Sequence, residues 1–220
     1  MILVEKVSKV FSNGSGPTYA LRDVSLKVEA GEFITVYGSS GSGKTTLLNL
    51  IGALDRPTSG KIVTDRLSLA EASEDELARL RAQTIGFIFQ AYHVEPHRSV
   101  LENVMVSLLF AGLSRGERKS RARKALGSVG IAHLARQRAG DISAGERRRL
   151  TIARALVKSP RLVLADEPTA NLDENNANEI ISLLRAANTE QKVTVVMVTH
   201  EKSLAAASDR VITIENGCIV

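Results

Sequence analysis

The sequence predicts an α/β fold: a mostly parallel sheet covered by helices, with an antiparallel β subdomain at the N-terminal end and an inserted helical subdomain. Three observations support this. Short apolar runs alternate with helical patterns along much of the chain, the first strands follow one another through short turns, and residues 91–158 carry helical patterns without strands. We therefore expect a single domain, 1–220, with an α/β core of residues 1–90 and 159–220 around a helical subdomain of residues 91–158.

Each predicted strand is an apolar or alternating run bounded by turn residues, and each predicted helix repeats apolar residues at helical spacing. The strands are expected at residues 2–7, 24–28, 33–37, 85–90, 162–166, 193–199, 211–215 and 218–220. The helices are expected at residues 45–53, 73–83, 99–111, 115–128, 144–157 and 174–188. Asn216-Gly217 marks a tight hairpin turn before the last strand.

The composition describes a chain that buries one substantial core, since 44% of its 220 residues are hydrophobic. No apolar stretch approaches the ~20 residues of a membrane-spanning helix, and no basic-then-apolar leader opens the sequence, so we expect a soluble cytoplasmic protein. Cys218 is the only cysteine, which excludes an intrachain disulfide and a cysteine-based metal site.

A net charge of +5 suggests an anionic partner, and much of the excess lies in one basic segment. Its residues are Arg115, Arg118, Lys119, Arg121, Arg123, Lys124, Arg136 and Arg138. The segment is compatible with nucleic acid, with anionic lipid or with a solvated helix face. We favour the solvated face and expect no nucleic acid, because no aromatic residues are interleaved for base stacking and no nucleic-acid motif accompanies the charges.

The most informative segment is a glycine-rich loop between a predicted strand and a predicted helix. It reads Gly38-Ser39-Ser40-Gly41-Ser42-Gly43-Lys44-Thr45-Thr46, which fits the Walker A spacing. Such a loop turns its backbone N–H groups and the positive end of the helix toward a polyphosphate. Lys44 is expected to reach the β- and γ-phosphates and Thr45 to bind Mg²⁺. A flexible Gly/Ser linker, the alternative, does not explain Lys-Thr at this place or the helical pattern that follows.

Three other strands end in polar side chains that suit ATP hydrolysis. Asp166 ends one strand, where it would enter the Mg²⁺ shell, and Glu167 follows it, where it would polarise the water that attacks the γ-phosphate. His200 and Gln90 follow or end two more strands; alone, each is also an ordinary strand-end residue. Because parallel strands bind ligands beyond their carboxyl ends, we expect all four side chains at one site.

With these motifs the sequence resembles an ATP-binding cassette (ABC) ATPase over essentially the whole chain. The matches run in family order: Tyr19, the loop Gly38 to Thr45, Gln90, a signature Ile142-Ser143-Ala144-Gly145-Glu146, Asp166-Glu167, a D-loop Asn171-Leu172-Asp173, and His200. Segments such as Ser99 to Val104 and Ala165 to Asp173 also resemble the ATPases of lipoprotein-releasing and of macrolide or antimicrobial-peptide export systems, the LolD/MacB type.

The resemblance implies ATP and Mg²⁺ as cofactors and a head-to-tail pair of identical chains that closes on ATP. The catalytic residues would be Glu167, His200, Gln90 and Lys44. The metal ligands would be Thr45, Gln90 and Asp166. The ATP contacts would be the loop from Gly38 to Thr46 together with Tyr19, Ser143, Gly145, Glu146 and Asp173. For Tyr19 the alternative is local packing; its place 25 residues before Lys44 favours stacking on adenine.

The signature departs from the common Leu-Ser-Gly-Gly-Gln/Glu pattern. Ala144 replaces a glycine, and Arg147 and Arg148 stand where glutamine is common. Ser143 with Glu146 also forms a capping box, a structural role that is compatible with phosphate binding at a helix start. The methyl group of Ala144 either weakens this half-site or is tolerated. Glu95, in the loop after Gln90, marks either an unusual partner or a solvated position.

The resemblance further implies a separate integral membrane permease, which would hold this chain on the inner face of the cell membrane. The expected function is ATP-driven export or extraction of a lipoprotein, a peptide or a hydrophobic drug. The alternative is a non-transport switch that acts through a membrane subunit on cell-envelope enzymes. A DNA-repair or translation ATPase predicts a coiled-coil insertion or tandem cassettes, and a P-loop kinase leaves the signature, D-loop and His200 without a purpose, so both are disfavoured.

Overall fold

The computed structural model describes residues 1–13 and 16–220. The strands of these residues are β1 (Ile2–Asn13), β2 (Gly16–Val28), β3 (Phe33–Tyr37), β4 (Ser59–Thr64), β5 (Leu67–Ser68), β6 (Ile85–Ile88), β7 (Leu162–Asp166), β8 (Thr194–Thr199), β9 (Arg210–Glu215) and β10 (Cys218–Ile219). The α-helices are α1 (Lys44–Ile51), α2 (Glu74–Arg79), α3 (Val100–Val106), α4 (Arg115–Ser128), α5 (Ala144–Leu156), α6 (Glu174–Gln191) and α7 (Lys202–Ala205).

The larger sheet has the strand order β10-β9-β3-β8-β7-β6, and its five strands from β9 to β6 are parallel. Successive side chains of β7 point to opposite faces: Leu162 and Leu164 join one hydrophobic core, whereas Val163 and Ala165 join the other. Because both faces are covered, the strand is apolar without alternation, as its sequence predicted. The hairpin at Asn216-Gly217 is also confirmed, since β9 and β10 pair antiparallel.

The smaller sheet has the order β2-β1-β4-β5 and is antiparallel, which confirms the predicted N-terminal β subdomain. Two details differ from the prediction. Both β1 and β2 are longer than expected, because their polar outer halves continue to pair with each other. β4 and β5 were not predicted, because β4 has only two consecutive apolar residues, Ile62 and Val63, and becomes a strand by pairing with β1.

Residues 91–158 form no strand, as predicted, and their helices α3, α4 and α5 pack on one another and on one face of the larger sheet. The division of the domain at residues 90 and 159 stays a prediction. The helix expected at 99–111 ends at Val106 and gives way to turns, and the helix expected at 73–83 is α2 followed by a π-helical segment, Leu80–Thr84. In the described ranges, no helix has the length and apolar character that crossing a bilayer requires.

Candidate functional site

The glycine-rich loop connects β3 to α1 at the carboxyl edge of the larger sheet. Gly43 has φ +107°, and a Cβ placed on it would lie 2.4 Å from the carbonyl oxygen of Ala20. A Cβ on Gly38 would lie 2.3 Å from the carbonyl oxygen of Ile214. Both positions therefore need glycine, since real Cβ atoms do not approach oxygen so closely. The loop is held in its curled form by packing between β2 and β9.

One polar group of this loop bonds only to the loop's own carbonyl oxygens, and another has no partner in the described residues. The Nζ of buried Lys44 donates hydrogen bonds to the carbonyl oxygens of Gly38 and Ser39, at 2.9 and 2.8 Å. The Oγ of Ser42 is buried without a hydrogen-bond partner among the described residues. No side chain caps the start of α1, so its first N–H groups are left for a ligand. The loop thus fits a nucleotide phosphate chain.

Thr45 and Asp166 form a pair of oxygen donors between α1 and β7. The Oγ1 of Thr45 donates a hydrogen bond to Oδ1 of Asp166, at 3.1 Å. Burial raises the pKa of the Asp166 carboxyl, and the bond from Thr45 opposes this rise. Residues 1–13 and 16–220 hold no group of three or more His, Cys, Asp or Glu side chains that could bind a metal. Two hard oxygens suit a Mg²⁺ ion that takes its other ligands from phosphate and water.

Glu167 follows β7 in a strained left-handed conformation, with φ +44°. Its Oε1 lies 3.0 Å from Nδ1 of exposed His200 and 3.9 Å from Nζ of Lys44. Its Oε2 is buried and has no partner in the described part of the chain. Strained residues cluster at active sites, where the surrounding structure holds them in place. One carboxylate oxygen therefore contacts His200, and the other is buried without a partner among the described residues.

Gln90 lies just beyond β6, and its exposed side chain makes no hydrogen bond to Thr45, Asp166 or Glu167 in the described residues. Its backbone carbonyl is held instead by Arg148 of α5. The guanidinium of Arg148 donates to the carbonyl oxygens of Phe89 and Gln90, at 2.7 and 2.9 Å, and lies 4.6 Å from the ring centre of Tyr92. The side chain is fully buried, and desolvation lowers its pKa.

Sequence reasoning noted Arg148 only as a departure from glutamine and missed this contact. A signal was present in the helical spacing, since position 148 shares the buried stripe of α5 with Gly145 and Ile152. Arginine is rarely buried without a carboxylate partner, so its charge argued against placing it inside. The structure therefore adds Arg148 as a link between the signature helix and the Gln90 loop.

The signature lies at the start of α5. The Oγ of exposed Ser143 accepts a hydrogen bond from the backbone N–H of Glu146, whose carboxylate accepts one from the N–H of Ser143, at 2.7 Å. The predicted capping box is confirmed. Gly145 is buried, and a Cβ on it would lie 2.5 Å from Oδ1 of Asn176. Asp173 accepts a hydrogen bond from the N–H of Asn176, so the signature and the D-loop meet within one chain.

Tyr19 lies on β2, next to Ala20, whose carbonyl oxygen faces the glycine-rich loop. Its ring is 49% exposed and is covered on one side by the guanidinium of Arg22, 4.5 Å from the ring centre. The backbone of β2 thus meets the loop at the residue that follows Tyr19. The site as a whole gathers Lys44, Thr45, Asp166, Glu167 and His200, while Gln90 contributes an exposed side chain at its edge.

Comparisons with known proteins agree with this geometry. Residues 21–170 match the family model described as ABC transporter. The chain is 43% identical to the lipoprotein-releasing system ATP-binding protein LolD of Chromohalobacter salexigens, over 99% of this chain and 92% of that protein. It is 41% identical to the macrolide export ATP-binding/permease protein MacB of Rhodopseudomonas palustris, over 100% of this chain but only 33% of that protein, so it spans a third of that relative's length.

Among solved structures, the dimeric post-hydrolysis state of the ATP-binding cassette MJ0796 bound to ADP and Pi superposes with a TM-score of 0.93. It is 37% identical in sequence, and the match covers 100% of this chain and 96% of that one. The expected fold is therefore confirmed in both its parallel core and its antiparallel sheet. From its site, its family match and these relatives, the chain belongs to the ABC transporter family, and it is an ATP-binding subunit that hydrolyses ATP.

Proposed function

We propose that this ATPase works as a head-to-tail pair of identical chains, each completing the other's nucleotide site. The observation that carries the proposal is the position of the signature. The capped start of α5 at Ser143 is exposed, yet among the described residues no hydrogen bond or ion pair joins it to the loop from Gly38 to Thr46. A helix start attracts an anion through its free N–H groups and its dipole. The second copy would supply that anion, the γ-phosphate of its own ATP.

In the proposed reaction Glu167 is the general base. Its Oε2 has no partner among the described residues and would accept a proton from the attacking water, while Nδ1 of His200 lies 3.0 Å from Oε1. Lys44 exchanges the carbonyl oxygens of Gly38 and Ser39 for the β- and γ-phosphates when ATP enters. With Oε1 oriented by a neighbour and Oε2 without one, Glu167 would act on a single water molecule in a fixed direction, as a general base requires.

The remaining contacts to Mg²⁺ and to ATP are proposed from the positions of the side chains. Thr45 and Asp166 are proposed to hold Mg²⁺ together with Gln90, and bound Mg²⁺ would neutralise charge on the β- and γ-phosphates. Tyr19 is proposed to stack on adenine with the face that Arg22 leaves open. The second copy's Ser143, Gly145, Glu146 and Asp173 would line the other side of the ATP. Closure of the pair on ATP and its reopening after hydrolysis would provide the motion.

We further propose that this motion passes to a separate integral membrane permease, with the chain held in the cytoplasm at the inner face of the membrane. A groove of about 950 Å³ supports this partner. It is lined on one side by Phe87, Phe89 and Tyr92 and on the other by Val106 and Phe110, and we call it the permease groove. Its lining also includes the cations Arg79, Arg121, Arg154 and Lys158, and a cleft that joins apolar and charged side chains suits a short amphipathic segment of a partner.

The names of two relatives indicate which classes of molecule the proposed transporter moves. One is named a macrolide export protein and another belongs to a lipoprotein-releasing system, so we propose export or extraction of a lipoprotein, a peptide or a hydrophobic drug.

The loop beside the permease groove contains Glu95, which is exposed. The backbone N–H and carbonyl of Glu95 both bond to the side chain of buried Asn103. The loop is therefore shaped by Asn103, and the Glu95 side chain is available to the permease.

The test of the catalytic assignment is Glu167→Gln, which keeps the shape of the side chain and removes the base. We expect ATP hydrolysis to fall at least about 100-fold while ATP binding, measured by calorimetry, is retained. The matched control is Glu190→Gln, an exposed glutamate on α6, which should hydrolyse at the parental rate. Parental hydrolysis by the Glu167→Gln protein would exclude Glu167 as the base.

A further inference from the structure

A second groove, about 760 Å³, lies between α3 and α4 on the helical side of the molecule. Its floor is apolar, with Leu101, Met105 and Leu109. Six cationic side chains and one carboxylate, Glu102, surround it. The cations are Arg98, Arg115, Arg118, Lys119, Arg123 and Arg136. We call this site the α3–α4 groove.

The positive charge of the α3–α4 groove exceeds the negative charge that lines it, since six cations stand against one carboxylate. Within residues 1–13 and 16–220, none of the six cations lies within 4.0 Å of a carboxylate. Glu102 caps α3 by accepting bonds from the Oγ and N–H of Ser99, at 2.6 and 2.9 Å. Glu117 likewise caps α4 at Ser114. Both nearby carboxylates thus accept hydrogen bonds at helix starts, and only Glu102 also lines the groove.

The arrangement of the cations on α4 favours an external anion. Arg115, Lys119 and Arg123 follow one another at four-residue spacing, so they line one face of the helix, where like charges repel. The Nε of Arg118 is buried beside them without a hydrogen-bond partner in the described chain. An anion in the groove would relieve this repulsion and meet that N–H group.

Apolar side chains are exposed at the end of α3 and on the turns that follow it. Phe110 is 95% exposed, Leu109 is 51% exposed and Val106 is 38% exposed. A helix face that serves only to be solvated does not explain a phenylalanine side chain almost fully exposed to water nearby. Cations that flank exposed aromatic and aliphatic side chains are the pattern of proteins that lie on an anionic bilayer surface.

The two grooves are adjacent: Val106 lines both of them, and Phe110 of the permease groove directly follows Leu109 of the α3–α4 groove in the chain. This inference rests on the proposed permease: with that partner bound in the permease groove, the side of the molecule that holds both grooves faces the membrane. We propose that the α3–α4 groove binds the anionic headgroups of bilayer phospholipids, with Phe110 and Leu109 entering the boundary between headgroups and acyl chains. Nucleic acid is disfavoured as the occupant because no aromatic ring lines the α3–α4 groove among the described residues, and base stacking needs several.

The experiment is sedimentation of the purified full chain with vesicles of phosphatidylcholine alone or of phosphatidylcholine mixed with phosphatidylglycerol. We expect binding to the mixed vesicles only. The triple variant Arg115→Gln, Lys119→Gln, Arg123→Gln should bind them about 100-fold more weakly, since each cation near an anionic surface contributes about fivefold. All three side chains are exposed, so the fold should be kept. Phe110→Ser should also weaken binding.

The matched control removes three exposed lysines elsewhere, Lys27→Gln, Lys61→Gln and Lys202→Gln, and should bind like the parent. Equal binding to both vesicle types, unchanged binding by the α4 triple variant, or loss of binding in the control would each overturn the proposal. So would binding of a short duplex DNA combined with no vesicle binding. ATP hydrolysis without membranes is measured in parallel: a chain that hydrolyses ATP but ignores vesicles fails only this proposal, and one that binds vesicles without hydrolysing ATP fails only the proposed function.

Discussion

Arg148 offers the sharpest test of how the helical subdomain is joined to the nucleotide site. The proposed perturbation is Arg148→Met, which keeps much of the buried volume and removes both hydrogen bonds to the carbonyl oxygens of Phe89 and Gln90. Arg148→Gln is the milder change, since its amide is able to donate to one of the two carbonyls. Arg147→Met is the matched control, because Arg147 makes only one long bond, 3.4 Å, to the carbonyl of Gly140.

The magnitude follows from the groups left behind. Two carbonyl oxygens would lose a charged donor, and an orphaned buried acceptor costs about 1–3 kcal/mol. Part of this cost is offset, because the guanidinium is itself desolvated and its Nε has no partner among the described residues. We expect Arg148→Met to lower the free energy of unfolding by about 2 kcal/mol, and Arg147→Met by under about 1 kcal/mol.

The assay combines denaturant unfolding with steady-state ATP hydrolysis. Because Arg148 holds the backbone of Gln90 and contacts none of the loop from Gly38 to Thr46, kcat should fall about tenfold with little change in KM. Arg148→Gln should recover part of both losses. Unchanged stability and unchanged kcat in Arg148→Met would refute the link; lost stability with parental kcat would restrict Arg148 to a packing role.

Three further changes test other parts of the site. Lys44→Ala should weaken ATP binding about 10- to 100-fold by calorimetry, and unchanged affinity would contradict the phosphate cradle. Gly145→Ala should cost about 1–3 kcal/mol in denaturant unfolding because its Cβ meets Oδ1 of Asn176, and the added change Asn176→Ala should relieve it; no relief would exclude that contact. Burial lowers the pKa of Lys158 to about 8 from 10.5, so the unfolded chain binds more protons between these values. The parent should therefore gain stability over Lys158→Met as pH rises from about 8 to 10.5, and a constant difference would argue against the shift.

The sequence predicted the parts of the fold that local pattern controls. β3 and β7 are buried on both faces and so read as continuous apolar runs, and the capping box at Ser143 is a local signal. β4 escaped prediction because its strand form depends on pairing with β1, which is distant in sequence. α7 escaped because four residues make a single turn with no periodicity to detect.

In the candidate site too, some features were predicted from the sequence and others were not. The order of strand, loop and helix pointed to Lys44 and Thr45, and the ends of parallel strands pointed to Asp166 and Glu167, which the structure brings to one edge of the sheet. The left-handed backbone of Glu167 and the burial of its Oε2 were not predictable, because no local sequence pattern marks either of them.

The central claim is that two chains share each nucleotide site, and mixing two inactive variants tests it most directly. Lys44→Ala disables the loop, and Ser143→Asp keeps a good helix cap while placing a negative charge where the γ-phosphate should lie. In a head-to-tail mixed pair, one site would combine both defects and the other would be intact.

Each variant alone should therefore hydrolyse almost no ATP, and an equal mixture should recover about a quarter of the parental rate. Refolding the two proteins together before the assay allows the chains to exchange. A mixture that stays as inactive as its components would contradict the shared site.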